Sequence, residues 1–380
     1  MASATTRRVA GSRGRASLQS GILPAQSIRE LIDTGAIRLA EPPLSTQIQP
    51  ASLDLRLGAV AYRVRASFLA GPNATVAERL EVLSLHQIGL EQGAVLETGC
   101  VYVVPLQESL VLPEHLSAAA NPKSSTGRLD VFTRVIADGV GAFDQIPRGY
   151  TGPLYAEICP QTFPILVRAG SRLSQLRFRC GEVERDDAAL RDLHRRERLV
   201  TGSPASDGAD IADGIALSVD LSGDPSGMIG YRAKRHTGLV DVDAVGACAV
   251  LDYWEPIQAH STRRLVLDPD EFYILASKEA VHVPPTHAAE MVPFNPLVGE
   301  FRVHYAGFFD PGFGHDAAGG QGSRAVLEVR SHKVPFVLED GQIIGRLIYE
   351  RLTEQPERLY GRDLGSHYQQ QGLKLSKHFR

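Results

Sequence analysis

The sequence predicts an all-β fold, with few short helices, built as two similar domains in tandem. Two observations carry this. Short strand-like runs broken by Gly and Pro recur at roughly the eight- to twelve-residue spacing of a sandwich or jelly roll. Segments late in the chain also echo early ones at a fixed distance, the mark of an internal repeat. At 380 residues the chain has room for two to three domains.

Residues 1–26 read as a disordered basic tail: the first 20 carry Arg7, Arg8, Arg13 and Arg15 and no acid. An organelle transit peptide is the alternative. Ser27 and Glu30 have capping-box spacing and open a helix that Gly35 can end. The runs "SLDLRLG", "VYVVPL", "DVFTRVIAD", "LYAEI", "FPILVRAG" and "QLRFRC" then make a first β-domain over 27–181. Residues 182–212 form a boundary, a solvated helix in "EVERDDAALRDLHRRER" followed by the loop "TGSPASDGAD". A second β-domain spans 213–355, and 356–380 is a tail.

The echoes define the repeat. "ASLDLRLG" (51–58) is matched to "LSVDLSGD" (217–224), and "VYVVPLQESLVLP" (101–113) to "FYILASKEAVHVP" (272–284), which sets Glu108 against Glu279. "AEICPQTFPILVRAG" (156–170) is matched to "LEVRSHKVPFVLEDG" (327–341), with Glu157 on Glu328, Pro164 on Pro335 and Gly170 on Gly341, all at an offset of 171.

Composition narrows the function. A net charge of -4 supplies no global basic field, which argues against a nucleic-acid coat. The four cysteines, Cys100, Cys159, Cys180 and Cys248, make no CxxC pair, so neither a zinc knuckle nor a redox dithiol is indicated, and reduced cytoplasmic thiols are expected. No apolar run approaches the roughly 18 residues of a membrane span.

"NPKSSTGRLD" (121–130) is either a plain polar turn or a phosphate cradle. The second copy reads "FNPLVGEFRV" (294–303) there. Gly127 is matched by Gly299, but Ser124, Ser125 and Arg128 fall against Pro296, Leu297 and Glu300. A carboxylate repels a polyanion that an arginine would grip through a charge-assisted fork. The first copy is therefore the phosphate-binding candidate. Conversely, the second copy has "YAGFFDPGFG" (305–314), an apolar hairpin with Asp310, followed by a strand with Glu328; the first copy has Asp144 and Glu157 there. Such a hairpin can present backbone groups to a base, with a neighbouring carboxylate moving protons. It can equally be an ordinary Asp-Pro-Gly turn.

In combination, "QPASLDLRLG", "KSSTGR", "GFFDPGFG" with "LEV", and "YGRDLGSHYQQQG" (360–372) resemble the dCTP deaminase branch of the dUTPase-like fold. The resemblance covers most of 28–372 and has the form of a fused, two-copy member. It implies two distorted jelly-roll (β-clip) domains. It implies zinc-independent hydrolysis of dCTP to dUTP and ammonia, with Mg2+ carried on the triphosphate. The H-x-E and P-C-x-x-C of zinc deaminases are lacking. Ser124 and Arg128 then contact the triphosphate and help position water, with Lys123 and Ser125 beside them. Glu328 moves protons between water, N3 and the leaving amine, which needs a carboxyl whose pKa burial raises. Asp310 lies near the deoxyribose, and Tyr360, His367 and Gln370 belong to a tail that closes over the nucleotide. His367 departs from the family's usual lysine. Single-copy relatives place the site between subunits, so a hybrid site of "KSSTGR" with Glu328 is favoured over one using Glu157. A homo-oligomer is expected, as a trimer or a smaller assembly. Two rivals stay open: a dUTP pyrophosphatase or bifunctional enzyme using "AFDQIPRGYTG", and a non-catalytic nucleotide sensor.

Overall fold

Period-two alternation of apolar residues builds each half of the chain from two facing sheets. The structure, a computed structural model, describes residues 19–181, 186–205, 208–293, 301–303, 307–331, 333–361 and 372–380. In the first half the main strands are β1 (Ser52–Leu55), β2 (Val60–Val64), β3 (Ser84–Gly89), β4 (Ala94–Leu96), β5 (Val101–Val111), β6 (Leu116–Pro122), β7 (Val131–Ala137), β8 (Thr151–Pro160), β9 (Ile165–Val167) and β10 (Ser174–Cys180). The second half contains β11 (Ile215–Ser218), β12 (Met228–Ala233), β13 (Val240–Asp241), β14 (Trp254–Gln258), β15 (Arg264–Leu267) and β16 (Phe272–Val281). It continues with β17 (His287–Pro293), β18 (Phe301–Val303), β19 (Phe308–Phe309), β20 (Ser323–Ser331), β21 (Phe336–Glu339) and β22 (Ile343–Arg351). The helices are α1 (Ala25–Asp33), α2 (Val76–Leu83), α3 (Ser124–Gly127), α4 (Asp187–Glu197) and α5 (Val250–Tyr253).

The sheets repeat between halves. The order β7-β8-β5-β2-β3 returns as β18-β20-β16-β12-β14, and β6-β10-β1 returns as β17-β22-β11. Matched hydrogen bonds make the duplication concrete. Gly170 N donates to Leu57 O and Gly341 N to Val219 O; Gly58 N donates to Pro105 O and Asp220 N to Ala276 O. Glu108 and Glu279 each accept a backbone amide at 2.8 Å, from Arg56 and Ser218.

These bonds uphold the offset of 171 for the later strands and correct the first echo. Leu57 corresponds to Val219, an offset of 162, so Asp54 lies opposite Ala216 and not Asp220. The reading of 51–58 against 217–224 was displaced by four residues. An even displacement preserves the in–out alternation of a strand, so sequence pattern alone cannot detect it.

Other expectations change at the edges. Residues 21–26 are not tail: Gly21 and Ile22 pair with Cys180 and Arg179, and Ile22 is fully buried. The helix begins at Ala25 behind Pro24, so Ser27 is not its cap; Ser27 Oγ donates instead to Glu354 at 3.0 Å. Proline suits a helix start because it has no N–H to satisfy. Gly35 does follow the helix end, at φ +75°. The expected boundary helix is α4, capped by Asp186, with Leu190 and Leu193 buried among second-half strands. The expected hairpin at 305–314 is a crossover: β19 pairs with β17, whereas β20 pairs with β16 and β18 in the other sheet. The segment 315–324 that leads on to β20 is packed, with His315 and Ala318 buried.

The halves share a core. Phe163 of the first half sits 5.4 Å from Trp254 and 5.7 Å from Tyr253 of the second, and Phe379 of the tail is 5.7 Å from Trp254. Beside them β13 adds in parallel to the edge of β9, Ile165 facing Val240, and Arg168 grips Asp241 in a fork at 2.8 and 2.9 Å. Among the described residues no helix is long and apolar enough to cross a membrane.

Candidate active site

Pro122 ends β6, and the chain turns at once into α3, a single helical turn. Lys123 takes an extended conformation and its carbonyl accepts Thr126 N and Gly127 N at 2.8 and 3.0 Å. This turn half-exposes Ser124, buries Ser125 and swings Arg128 inward, where it is 3% exposed. Lys123 pairs with Asp54 of β1, and Arg172 reaches the same carboxylate at 3.2 Å. Asp54 is fully buried, and its Oδ1 has no hydrogen-bond partner among the described residues.

Glu328 comes from the other half. It lies mid-strand in β20, opposite Ile274 of the central strand β16. Its Oε1 is 3.7 Å from Arg128 Nε, and it is 4% exposed. Burial pushes its carboxyl up to about 7, against the opposing pull of Arg128. A carboxyl poised there can hold or release a proton at neutral pH. A side chain added at Gly307, at the start of the crossover, would reach within 3.9 Å of Ser124 Oγ, so second-half backbone lies close to the first-half turn.

Asp310 stands at the bend of the crossover, buried, with its carboxyl raised chiefly by that burial. It faces Arg177 of β10 at 3.5 Å. Arg177 is fully buried, donates to Ala289 O at 3.1 Å, and lies 4.0 Å from the Phe308 ring centre. One first-half arginine thus holds three points of the second half. The bend is tight: Gly312 has φ +97°, and a Cβ there would meet Tyr360 O at 2.9 Å. Tyr360 N donates to Pro311 O at 2.8 Å and the Tyr360 ring lies 5.8 Å from Phe313, so this tail residue rests on the crossover. His367 and Gln370 lie outside the described residues, as does the second-copy counterpart of the turn, 294–300.

Glu157, the first-half equivalent of Glu328, has a different setting. Arg134 on the neighbouring strand β7 donates to its Oε1 through Nη2 at 2.6 Å and Nε at 3.2 Å. That guanidinium is itself stacked 3.4 Å from the centre of the Phe143 ring. The structure brings Arg128, from the turn that also carries Lys123, Ser124 and Ser125, to Glu328 and leaves Glu157 in an ion pair. Asp144 sits in a left-handed turn and accepts Val135 N at 2.7 Å.

Three contributors had no assigned role in the sequence. Asp54 lay inside a quoted motif. Arg177 was visible as an arginine amid the apolar residues of "QLRFRC". The C-terminal segment crosses the turn: Arg128 Nη1 donates to Lys374 O at 3.0 Å, and Ser376 Oγ to Ser125 O at 2.7 Å. No sequence pattern announced that crossing. Among the described residues no three His, Cys, Asp or Glu side chains are grouped to hold a metal ion.

Comparison with known proteins bears on this arrangement. Residues 19–182 match the family model for the N-terminal domain of 2'-deoxycytidine 5'-triphosphate deaminase, and residues 186–379 match that for its C-terminal domain. The chain belongs to the 2'-deoxycytidine 5'-triphosphate deaminase family. Ser124–Arg128 falls in the first matched domain and Glu328 in the second. The crystal structure of the 2'-deoxycytidine 5'-triphosphate deaminase from Agrobacterium tumefaciens is similar with a TM-score of 0.84 and 59% identity, over 89% of this chain and 100% of that one. A relative from Coprothermobacter proteolyticus, named dCTP deaminase, dUMP-forming, is 32% identical over 164 residues, 41% of this chain and 81% of its own. One from Natronomonas pharaonis, named dCTP deaminase, is 31% identical over 163 residues, 41% of this chain and 79% of its own. Deaminases of that kind are therefore about half as long as this chain.

Proposed function

We propose that this chain hydrolyses dCTP to dUTP and ammonia at one composite site, with the triphosphate end from the first half and the proton-transferring end from the second. The observation that carries the reading is the buried approach of Arg128 to Glu328 at 3.7 Å across the two halves. Ser124, Ser125, Lys123 and Arg128 offer hydroxyls and cations to the phosphates. Glu328, protonated, gives its proton to N3 of cytosine and makes C4 electrophilic. The resulting carboxylate takes a proton from the attacking water and passes it to the amine, which leaves as ammonia while the new C4 hydroxyl returns its proton to Glu328 and becomes the C4 carbonyl of dUTP. Asp310 holds the crossover against the sugar, and Tyr360, His367 and Gln370 belong to the tail that closes over the nucleotide. A Mg2+ carried on the triphosphate would neutralise part of its charge, and Asp54, whose Oδ1 has no hydrogen-bond partner among the described residues, is the carboxylate of this turn that would face it.

Incubation with dCTP, followed by separation of nucleotides and an ammonia assay, tests this. Stoichiometric ammonia and intact dUTP are expected. The names of relatives such as that from Coprothermobacter proteolyticus give weight to a second reading, in which dUMP and pyrophosphate are formed; that outcome would move the chain to the bifunctional reaction. Nucleotide binding without turnover would make it a sensor.

The reading includes a homo-oligomer in the cytoplasm. In the first half, β13 covers the edge of β9, and Phe163 lies under Trp254. The equivalent strand β21 pairs with β15 alone among the described strands, and Val334, the residue equivalent to Phe163, is 48% exposed. Val266 and Val337 beside it are each 50% exposed. A further copy of the chain is the natural cover. Light scattering after size exclusion should give a mass above one chain, and Val334→Asp with Val337→Lys should lower it.

A further inference from the structure

We propose that Ser376 is a positioning residue for the proposed reaction: its hydroxyl holds the Ser125 carbonyl and so sets the pose of the Ser124–Arg128 turn against Glu328. It acts through the backbone of the turn. The inference rests on the dCTP reading of this site and adds a residue to it.

The turn is too short to satisfy its own backbone. α3 is a single turn, Ser124–Gly127, and Leu129 N, the amide that a longer helix would offer to Ser125 O, is directed to Thr126 O at 3.1 Å. A buried carbonyl left in that state is costly. Ser376 Oγ supplies the donor at 2.7 Å. Ser125 is 7% exposed and Ser376 2%, so water does not compete for the bond. Two residues earlier, the same segment offers Lys374 O to Arg128 Nη1 at 3.0 Å. The segment thus grips the turn at two points, once through a hydroxyl and once through a carbonyl.

The donor is itself fixed. Gly246 N donates to Lys377 O and Cys248 N to His378 O, each at 3.0 Å, and Arg380 N donates to Cys248 O at 2.9 Å. The Phe379 ring lies 5.4 Å from Tyr253 and 5.7 Å from Trp254. These anchors belong to the second half, whereas Ser125 belongs to the first. Ser376 therefore bridges the halves at the turn that sends Arg128 to within 3.7 Å of Glu328. His378 sits on the other side of the hydroxyl, with Nδ1 2.9 Å from Ser376 Oγ and Nε2 2.9 Å from Val242 O. A carbonyl can only accept, so Nε2 carries the ring proton. Burial pushes the ring down to about 4, so at neutral pH Nδ1 is left as an acceptor. The single hydroxyl proton of Ser376 faces two acceptors, of which Ser125 O is the nearer. Ring and turn hold Oγ between them.

The test compares wild type, Ser376→Ala and Ser376→Thr, each first checked by thermal unfolding. The attraction of Lys123 and Arg128 for a polyanion changes slowly with distance, whereas attack by a positioned water does not tolerate a displaced turn. In Ser376→Ala, kcat for dCTP should therefore fall by roughly tenfold while KM stays within about threefold. Threonine keeps the hydroxyl and should restore most of the loss. Amide hydrogen exchange, read by mass spectrometry, should quicken by roughly tenfold over residues 124–130 in Ser376→Ala and keep the wild-type rate in β16. Unchanged exchange at the turn, or a looser turn with kcat unmoved, would overturn the proposal. If wild type fails to turn over dCTP, the dCTP reading falls, and the exchange arm still decides whether Ser376 holds the turn.

Discussion

Glu328 and Glu157 occupy equivalent places in the two copies and differ in what surrounds them. Glu157 is neutralised by a hydrogen-bonded arginine from its own sheet. Glu328 meets an arginine from the other half at 3.7 Å, beyond hydrogen-bond distance, and burial dominates its titration. Its carboxyl, near 7 in the fold against about 4.3 ordinarily, is neutral at mildly acid pH and ionised at alkaline pH. The raised value means that the stability it contributes is complete below the ordinary carboxylate range and is lost as pH rises through about 7. Because the proposed reaction opens with the protonated form, kcat/KM for dCTP should fall as pH rises above about 7. Arg128 opposes the upward shift, so Arg128→Gln should move that descending limb to higher pH as well as weaken binding. A pH–rate profile of both proteins reads the two effects.

At the scale of elements, the proposed site depends on the contact of β10 with β17, β19 and the β19–β20 crossover. Arg177→Met removes the cation facing buried Asp310 and also the donor to Ala289 O. Breaking a buried pair of this kind costs roughly 3–5 kcal/mol at neutral pH. Asp310 is already raised by burial, so it should take up a proton as pH falls, and the loss should shrink at low pH; denaturant unfolding at two pH values measures this. Much of this level was legible in the sequence, and the exceptions have physical causes. The strands and the 171 offset could be read because period-two patterning, prolines and glycines survive duplication. The first strand was misaligned by four residues because an even slip leaves that pattern intact. Ser27 and Glu30 imitate a capping box, whereas the operative one is Thr75 and Glu78, with Glu78 N donating to Thr75 Oγ1 at 3.2 Å and Thr75 N to Glu78 Oε2 at 2.7 Å. The meeting of Ser124–Arg128 with Glu328 could be anticipated because each copy keeps a different half of the motif. Arg177, Asp54 and the C-terminal crossing could not, since long-range pairing leaves no local spacing to read.

At the scale of the molecule, the proposed function makes the duplication a division of labour. One half keeps the cationic turn and the other the poised carboxyl, and Phe163, Trp254 and Phe379 bury one another where the halves join. Each half expressed alone, cut between residues 185 and 186, should therefore be insoluble or aggregate, whereas co-expression should recover folded protein; solubility and circular dichroism check this. Phe163→Ala in the full chain should cost roughly 3–5 kcal/mol by opening that joint. The central claim is that chemistry is done by a carboxyl of one half beside the turn of the other. It is tested most directly by ammonia release from dCTP by Glu328→Gln and Glu157→Gln, both confirmed as folded. Near-complete loss in Glu328→Gln with most activity kept in Glu157→Gln is the result this account requires. Activity retained by Glu328→Gln and lost in Glu157→Gln would contradict it and put the reaction wholly in the first half.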